Sequence, residues 1–397
     1  MPSFTSSIRK QLLHHLLANR SRPEGIVRHI RTLRRHDSRL QRVSDPVPES
    51  TASPVRPSTM RVAAVQMRIC TVRSGRAYAE LIYRLAARAA CAGASVVAFP
   101  EYSGLPLVGL VPGIGRALAG ASSLDEATAV AASGEPARPA DLLAALSPYS
   151  QRVYTSVFSA VARELGVYIV TGTMVLHDET EGPAAMRHVG FVYGPTGDRL
   201  ARYSKSHLMP SEAHWGFEPG RSIPTFNIGG VVAAAPVCMD ATYFEPFRIA
   251  RAAGVDIVIV PSANNEPYNV WYAMRGIWPR VQEAQMFGLS SCMVGTLAGM
   301  EFTGRSAIVC PIDISPGGDG VVAQASSHDD EEVVTADISL DALYAYRAAN
   351  PLRFNPMLYS NYSVGLYAAA RKYRTEAGNS HERSKNSGGS VRTSRRS

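Results

Sequence analysis

The chain has 397 residues, of which 46% are hydrophobic and 19% charged, enough apolar material to bury a substantial core. Its net charge of +8 is unevenly spread: residues 1–59 carry 11 Lys and Arg against 4 acids and residues 371–397 carry 8 against 2, so the ends hold +13 and the rest −5. The five cysteines form no C-x-x-C pair, which points away from a zinc site or a disulfide framework, and no apolar run reaches the ~18 residues of a membrane span.

The first segment, Ile8 to Arg42, is arginine-rich with Leu12, Leu13, Leu16 and Leu17 at helical spacing, and then passes through Pro46, Pro48, Pro54 and Pro57. It reads as a disordered or loosely helical basic extension over residues 1–59. It has a superficial likeness to a transit peptide or a basic arm for nucleic acid or an anionic membrane, but Met60 directly before the first core strand makes a dispensable upstream stretch the plainer reading. A strand is expected near 61–67 and a helix near 75–91. The next strand, near 94–99, delivers Glu101 straight off an apolar run; burial there would raise the pKa of the carboxyl. Residues 103–148, rich in Ala, Gly, Pro and Ser, follow directly, where a lid or pocket wall would sit. Gly113, Gly115 and Gly120 lack dinucleotide spacing and read as loop.

A helix near 150–165 leads to strands near 167–173, 188–194 and 199–203, the last two joined by the Gly194-Pro195-Thr196-Gly197 turn and ending at Lys205. The strand near 231–237 closes on Cys238, where backbone N–H groups and a helix dipole would lower the thiol pKa. Helices near 242–253, 273–286 and 340–347 and strands near 255–260, 289–294 and 306–310 complete the core, residues 60–370, and the Ser-, Arg- and Gly-rich stretch 371–397 has the composition of a solvated, disordered tail. Strands alternating with helices predict an α/β fold with a largely parallel sheet.

Taken singly, Glu101 could cap a helix, Lys205 could be a surface lysine and Cys238 a structural thiol. Together, an acid, a cation and a sulfur on three strand ends fit attack on a carbonyl or nitrile carbon bonded to nitrogen, with no metal or other cofactor called for. His207 and His214 lack a third ligand in spacing and read as structural. Asn264, Asn265, Tyr268 and Trp271, with Trp278 behind them, fall just after a strand end, where a substrate pocket would open, or alternatively pack an interface between subunits.

These strings, in order, carry a resemblance. Arg61-Val62-Ala63-Ala64-Val65-Gln66-Met67, Phe99-Pro100-Glu101, Lys205-Ser206-His207-Leu208, Phe217-Glu218-Pro219-Gly220, Cys238-Met239-Asp240 and Gly304-Arg305-Ser306 resemble the nitrilase superfamily of carbon–nitrogen hydrolases from about Met60 to Arg347. The resemblance implies a four-layer α-β-β-α sandwich and a homo-oligomer, a dimer or higher. It also implies Glu101 as general base, Lys205 as electrophilic stabiliser, Cys238 as nucleophile, the Met239 N–H as oxyanion donor and Glu212 as a second catalytic glutamate orienting the substrate or the attacking water, the lesser alternative being an acid that anchors the Lys205 loop. Asp240 resembles the amidase and carbamoylase branches. Phe244, where a proline is usual, and Gln282-Glu283-Ala284-Gln285, in place of the common Glu-Asn-Gln, depart from the pattern. The expected activity is hydrolysis of a small linear amide or N-carbamoyl compound through a cysteine acyl-enzyme in a reducing cytoplasm. The alternatives are a nitrilase or a non-catalytic basic-tailed scaffold binding nucleic acid, the latter disfavoured because all three reactive residues are present; no membrane partner is expected.

Overall fold

A computed structural model describes residues 4–40, 56–132, 137–352, 355, 357–363 and 365. In chain order, α1 (Phe4–Arg20) and α2 (Pro23–His36) precede β1 (Thr59–Arg68), α3 (Gly75–Cys91) and β2 (Val96–Ala98). A 3-10 helix, Leu105–Leu110, then leads to α4 (Ile114–Gly120), α5 (Leu124–Ala131) and the long α6 (Pro139–Leu165). Four strands follow: β3 (Tyr168–Val170), β4 (Met174–Asp178), β5 (Ala185–Tyr193) and β6 (Arg199–Ser204). Next come α7 (Pro210–His214), β7 (Thr225–Ile228), β8 (Val231–Ala234), α8 (Glu245–Ala252) and β9 (Ile257–Ser262). The last elements are α9 (Val270–Met274), α10 (Ile277–Ala284), β10 (Phe287–Leu297), β11 (Met300–Phe302), β12 (Ala307–Val309), β13 (Val321–Gln324), β14 (Glu332–Ser339) and α11 (Leu340–Ala349).

Side-chain alternation on the strands builds the layers. In β2, Val96 and Ala98 enter one apolar cluster while Val97 enters another; in β9, Ile257 and Ile259 point one way and Val258 and Val260 the other. One cluster lies between strands and α2, α3 and α6, one between the two halves of the sheet, and one between β8, β9 and β12 and helices α8 and α10. This is the expected α-β-β-α order. The parallel sheet is found only at its centre, in the order β3-β2-β1-β10-β9-β8, whereas β4, β5, β6, β7 and β11 to β14 all pair antiparallel. The correction has a simple cause: consecutive strands such as β5 and β6 are joined by a turn too short for the crossover that a parallel pair needs.

The N-terminal segment departs most from expectation. Residues 4–36 are two helices, and Leu17, Ile26 and Ile30 are buried in the same cluster as α3 and α6. Arg20 donates to the Leu110 carbonyl at 2.8 Å and Arg34 to that of Glu164 at 3.1 Å, so the arginines that suggested a solvated arm tie it to the core. The stretch 371–397, expected to be a disordered tail, lies outside the described residues. Beyond Tyr346 the chain forms a separate unit, in which residues 357–363 are helical.

Candidate active site

Three strand ends meet at one buried point. β2 runs through Phe99 and Pro100 to Glu101, which is 1% exposed. The chain then turns sharply: Tyr102 sits at φ +58°, with its N–H donated to Thr173 Oγ1 at 3.1 Å. The neighbouring Gly172, at φ +73°, is packed so closely that a Cβ there would lie 1.8 Å from the Pro100 carbonyl oxygen, so only glycine fits.

β6 ends by placing Lys205, also 1% exposed, with its backbone pinned between the His188 carbonyl (3.1 Å) and the Gly220 N–H (2.7 Å). Its Nζ donates to Glu101 Oε1 at 2.7 Å and Glu212 Oε1 at 2.8 Å. Burying an ammonium is costly, and two carboxylates in hydrogen-bond contact offset that cost. Burial pulls the Lys205 pKa down, but the charges of Glu101, Cys238 and Glu212 outweigh it and hold the group above its ordinary value.

The two acids are unlike. Glu212, at the start of α7, accepts the Met209 N–H at 2.8 Å and the Tyr102 hydroxyl at 3.0 Å, and His188 Nε2 lies 3.3 Å away. Burial alone would raise its pKa; His188 and Lys205 outweigh that and hold it well below the carboxylate range. Glu101 has fewer partners: Lys205 holds Oε1, His188 Nδ1 lies 3.7 Å from it, and the buried Oε2 makes no hydrogen bond. Burial, reinforced by the charge of Glu212, raises the Glu101 pKa against the pull of Lys205. Two carboxyls sharing a site are thereby split into one fixed anion and one group ready to take a proton.

Cys238 opens a 3-10 turn, Cys238–Thr242, at φ +45°, a strained conformation for a residue with a side chain. Its Sγ–H lies 3.9 Å from Asn264 Oδ1, and it lines a cavity of about 110 Å³ with Lys205, Glu212 and Met239. The sequence implied a lowered thiol pKa; the structure reverses this, because burial, and next the charge of Glu101, push the thiol well above its ordinary range while Lys205 only partly opposes them. The turn is too short to supply the dipole of a full helix; α8 starts only at Glu245.

Asp240, fully buried, fastens the Cys238 turn to the lysine loop. One carboxylate oxygen accepts the Val237 N–H (2.8 Å) and the Ser206 N–H (3.3 Å); the other accepts the His207 N–H (2.7 Å) and lies 2.7 Å from His207 Nδ1. His207 is thus structural. Asn264, Asn265 and Tyr268 line the cavity, but Trp271 does not: it is 73% exposed on α9, a helix that buries no residue. Trp278 Nε1 donates to the Asp319 carbonyl at 2.8 Å.

Sequence reasoning missed Tyr102 and His188 and saw Asp240 only as a branch marker. The one signal for His188 was its place beside Arg187 inside an otherwise apolar strand, both fully covered. Glu101, His188 and Glu212 bring ligand atoms within 4.8 Å of one another, a spacing that a metal ion could use, and here the Lys205 ammonium holds both carboxylates.

A family description, carbon–nitrogen hydrolase, matches residues 61–348, and the chain belongs to that family. Among curated relatives, a nitrilase of Pyrococcus abyssi is 30% identical over 187 residues, 47% of this chain and 64% of that protein. A probable hydrolase of Bacillus subtilis is 25% identical over 50% of this chain and 39% of that protein, and an omega-amidase of Xenopus tropicalis is 26% identical over 50% and 71%. The chain therefore spans less than two thirds of the length of the first two. In three dimensions, an amidase from Nesterenkonia shares the fold, with a TM-score of 0.54 at 22% identity over 75% of this chain and 98% of that one.

Proposed function

We propose that this carbon–nitrogen hydrolase cleaves a small linear amide or N-carbamoyl compound through an acyl-enzyme on Cys238. The observation that carries the reading is the Lys205 ammonium, buried between Glu101 and Glu212 on the wall of the cavity that also holds the thiol. Glu101 takes the thiol proton, a base being needed because the thiol is held neutral. The sulfur then bonds to the carbonyl carbon, and the new oxyanion is met by Lys205 Nζ and the Met239 N–H. Collapse breaks the C–N bond as Glu101 passes its proton to the leaving amine. Glu101 next takes a proton from water, the hydroxyl adds to the thioester, and the C–S bond breaks to release the acid and restore the thiol. Glu212, already ionised and held by three donors, positions Lys205 throughout.

Two likenesses support this reading: the Xenopus relative is an omega-amidase, and in one structure of the Nesterenkonia amidase the acetamide moiety of fluoroacetamide is covalently added to the active-site cysteine. The Pyrococcus relative, a nitrilase, favours a second reading, attack on a nitrile by the same thiol. A panel of matched amides and nitriles separates the two. Cys238→Ala is expected to lower turnover at least ~10³-fold while melting as a folded protein; retained turnover refutes the mechanism. Exposed Tyr243, Phe244 and Ile249 beside the nucleophile turn support a homo-oligomer, which sedimentation would test. Five free cysteines suit a reducing compartment such as the cytoplasm, and among the described residues no helix is long and apolar enough to cross a membrane.

A further inference from the structure

Next to the polar cavity at Cys238 lies a second one, of about 320 Å³, at the lower end of the roughly 300–1,000 Å³ usual for ligand sites. Its walls are almost wholly aliphatic or aromatic: Leu17 from α1, Leu105 and Val108 from the 3-10 helix after Glu101, Leu143 from α6, Trp215 after α7, and Met300 from β11. The two cavities share a wall, since Met209, Glu212, Ala263 and Asn265 line both. Tyr102, whose hydroxyl holds Glu212, lines the apolar one.

We propose that the apolar cavity is the acyl-chain subsite of the reaction described above, so that the substrate is an amide whose acyl group is an extended hydrocarbon chain; the assignment rests on that reading of Cys238. Filling an apolar cavity with a hydrocarbon chain removes apolar surface of both from water and gains free energy. The acyl side is chosen by the order of bond changes. The acyl group remains bonded to sulfur until water has added, so it needs a holding site through both half-reactions. The amine must leave in between, and the cavity at the thiol, lined by Asn264, Glu266, Asn269 and Thr303, offers it a polar exit. The segment that sequence reading marked as a lid supplies much of the apolar wall, and the N-terminal helix, through Leu13 and Leu17, supplies another part. The basic extension thereby becomes a specificity element of the enzyme.

The test measures kcat/KM for acetamide, butyramide, hexanamide and octanamide, with N-octylacetamide as the reversed control, and also calorimetric binding of the same amides to Cys238→Ala. The expected result is a rise of about fourfold per methylene in both series until the cavity is full. Leu143→Trp, which places a larger ring in the cavity, should lower the octanamide-to-acetamide ratio at least ~10-fold, with a thermal melt confirming the fold. A flat chain-length profile in both series overturns the subsite and leaves the amidase reading standing. N-octylacetamide matching octanamide overturns it too, by placing the tail on the leaving side. Chain-length-dependent binding to Cys238→Ala, with no amide turned over by the intact enzyme, sinks the amidase reading and with it the acyl assignment, leaving only a hydrocarbon-binding cavity.

Discussion

Replacing Asp240 by asparagine is the sharpest test of how the site is held. The carboxylate takes four donors, three of them backbone N–H groups at Val237, Ser206 and His207, and is fully buried. An asparagine has one carbonyl oxygen. If that oxygen stays with His207, the amide NH2 is turned toward the Val237 and Ser206 N–H groups, donor against donor. A buried donor left unsatisfied costs about 1–3 kcal/mol, and Ser206, whose bond is longer, falls at the lower end. The sum is about 2–4 kcal/mol, and about 3–5 kcal/mol for Asp240→Ala, which removes both acceptors and the charge. At about 2–4 °C per kcal/mol for a domain of this order of size, the asparagine variant should melt some 5–15 °C lower. Activity should fall as well, because Val237 precedes a residue held at φ +45°, and a nucleophile misplaced by ~1 Å can cost ~10²-fold in rate. Thermal melting together with kcat on one amide reads both effects. If Asp240→Asn melts within about 1 kcal/mol of the parent and keeps its kcat, the brace is unimportant and the reasoning fails.

Two further outcomes follow from the same geometry. In the proposed reaction the Glu101 carboxyl must be ionised to take the thiol proton, and burial raises its pKa, so the acid limb of the kcat/KM profile should fall above the ordinary glutamate value of about 4.3, and a limb at or below that value contradicts the proposed role as base. Ile30, fully buried on α2, should cost about 2–5 kcal/mol on truncation to alanine, and an unchanged melting temperature would mean that the N-terminal helices are not docked as described.

What could be read from the sequence, and what could not, divides along physical lines. Glu101 and Cys238 each close an apolar run and Lys205 follows a strand-turn-strand pattern, so their positions follow from local pattern, and the layers follow from period-two alternation in strands such as β9. His188 was illegible because its importance lies in Glu101 and Glu212, which come from distant parts of the chain. The N-terminal helices were misjudged because α2 carries four arginines in fourteen residues, and composition outweighed the spacing of Ile26 and Ile30 on one face. β14 was missed because Glu332, Thr335, Asp337 and Ser339 interrupt its Val and Ile without a clean alternation, and its partner, β1, lies more than 260 residues away in sequence.

For the reaction proposed above, the pattern of donors around the two glutamates distinguishes the Cys238 thiol from that of Cys292. Two carboxylates and one ammonium leave a buried excess of negative charge, which an apolar interior tolerates only where hydrogen bonds fix it. Tyr102 and the Met209 N–H donate to Glu212 alone, so the charge is pinned there and Glu101 is left with an unbonded oxygen and a raised pKa. Cys292, fully buried where Cys238 is half-buried, also has a raised pKa, but its neighbours are the Ser290 and Ser306 hydroxyls, which offer no base. In the reaction proposed above, the same loss of hydration that silences Cys292 keeps Cys238 protonated, and Glu101 beside it is the acceptor for that proton.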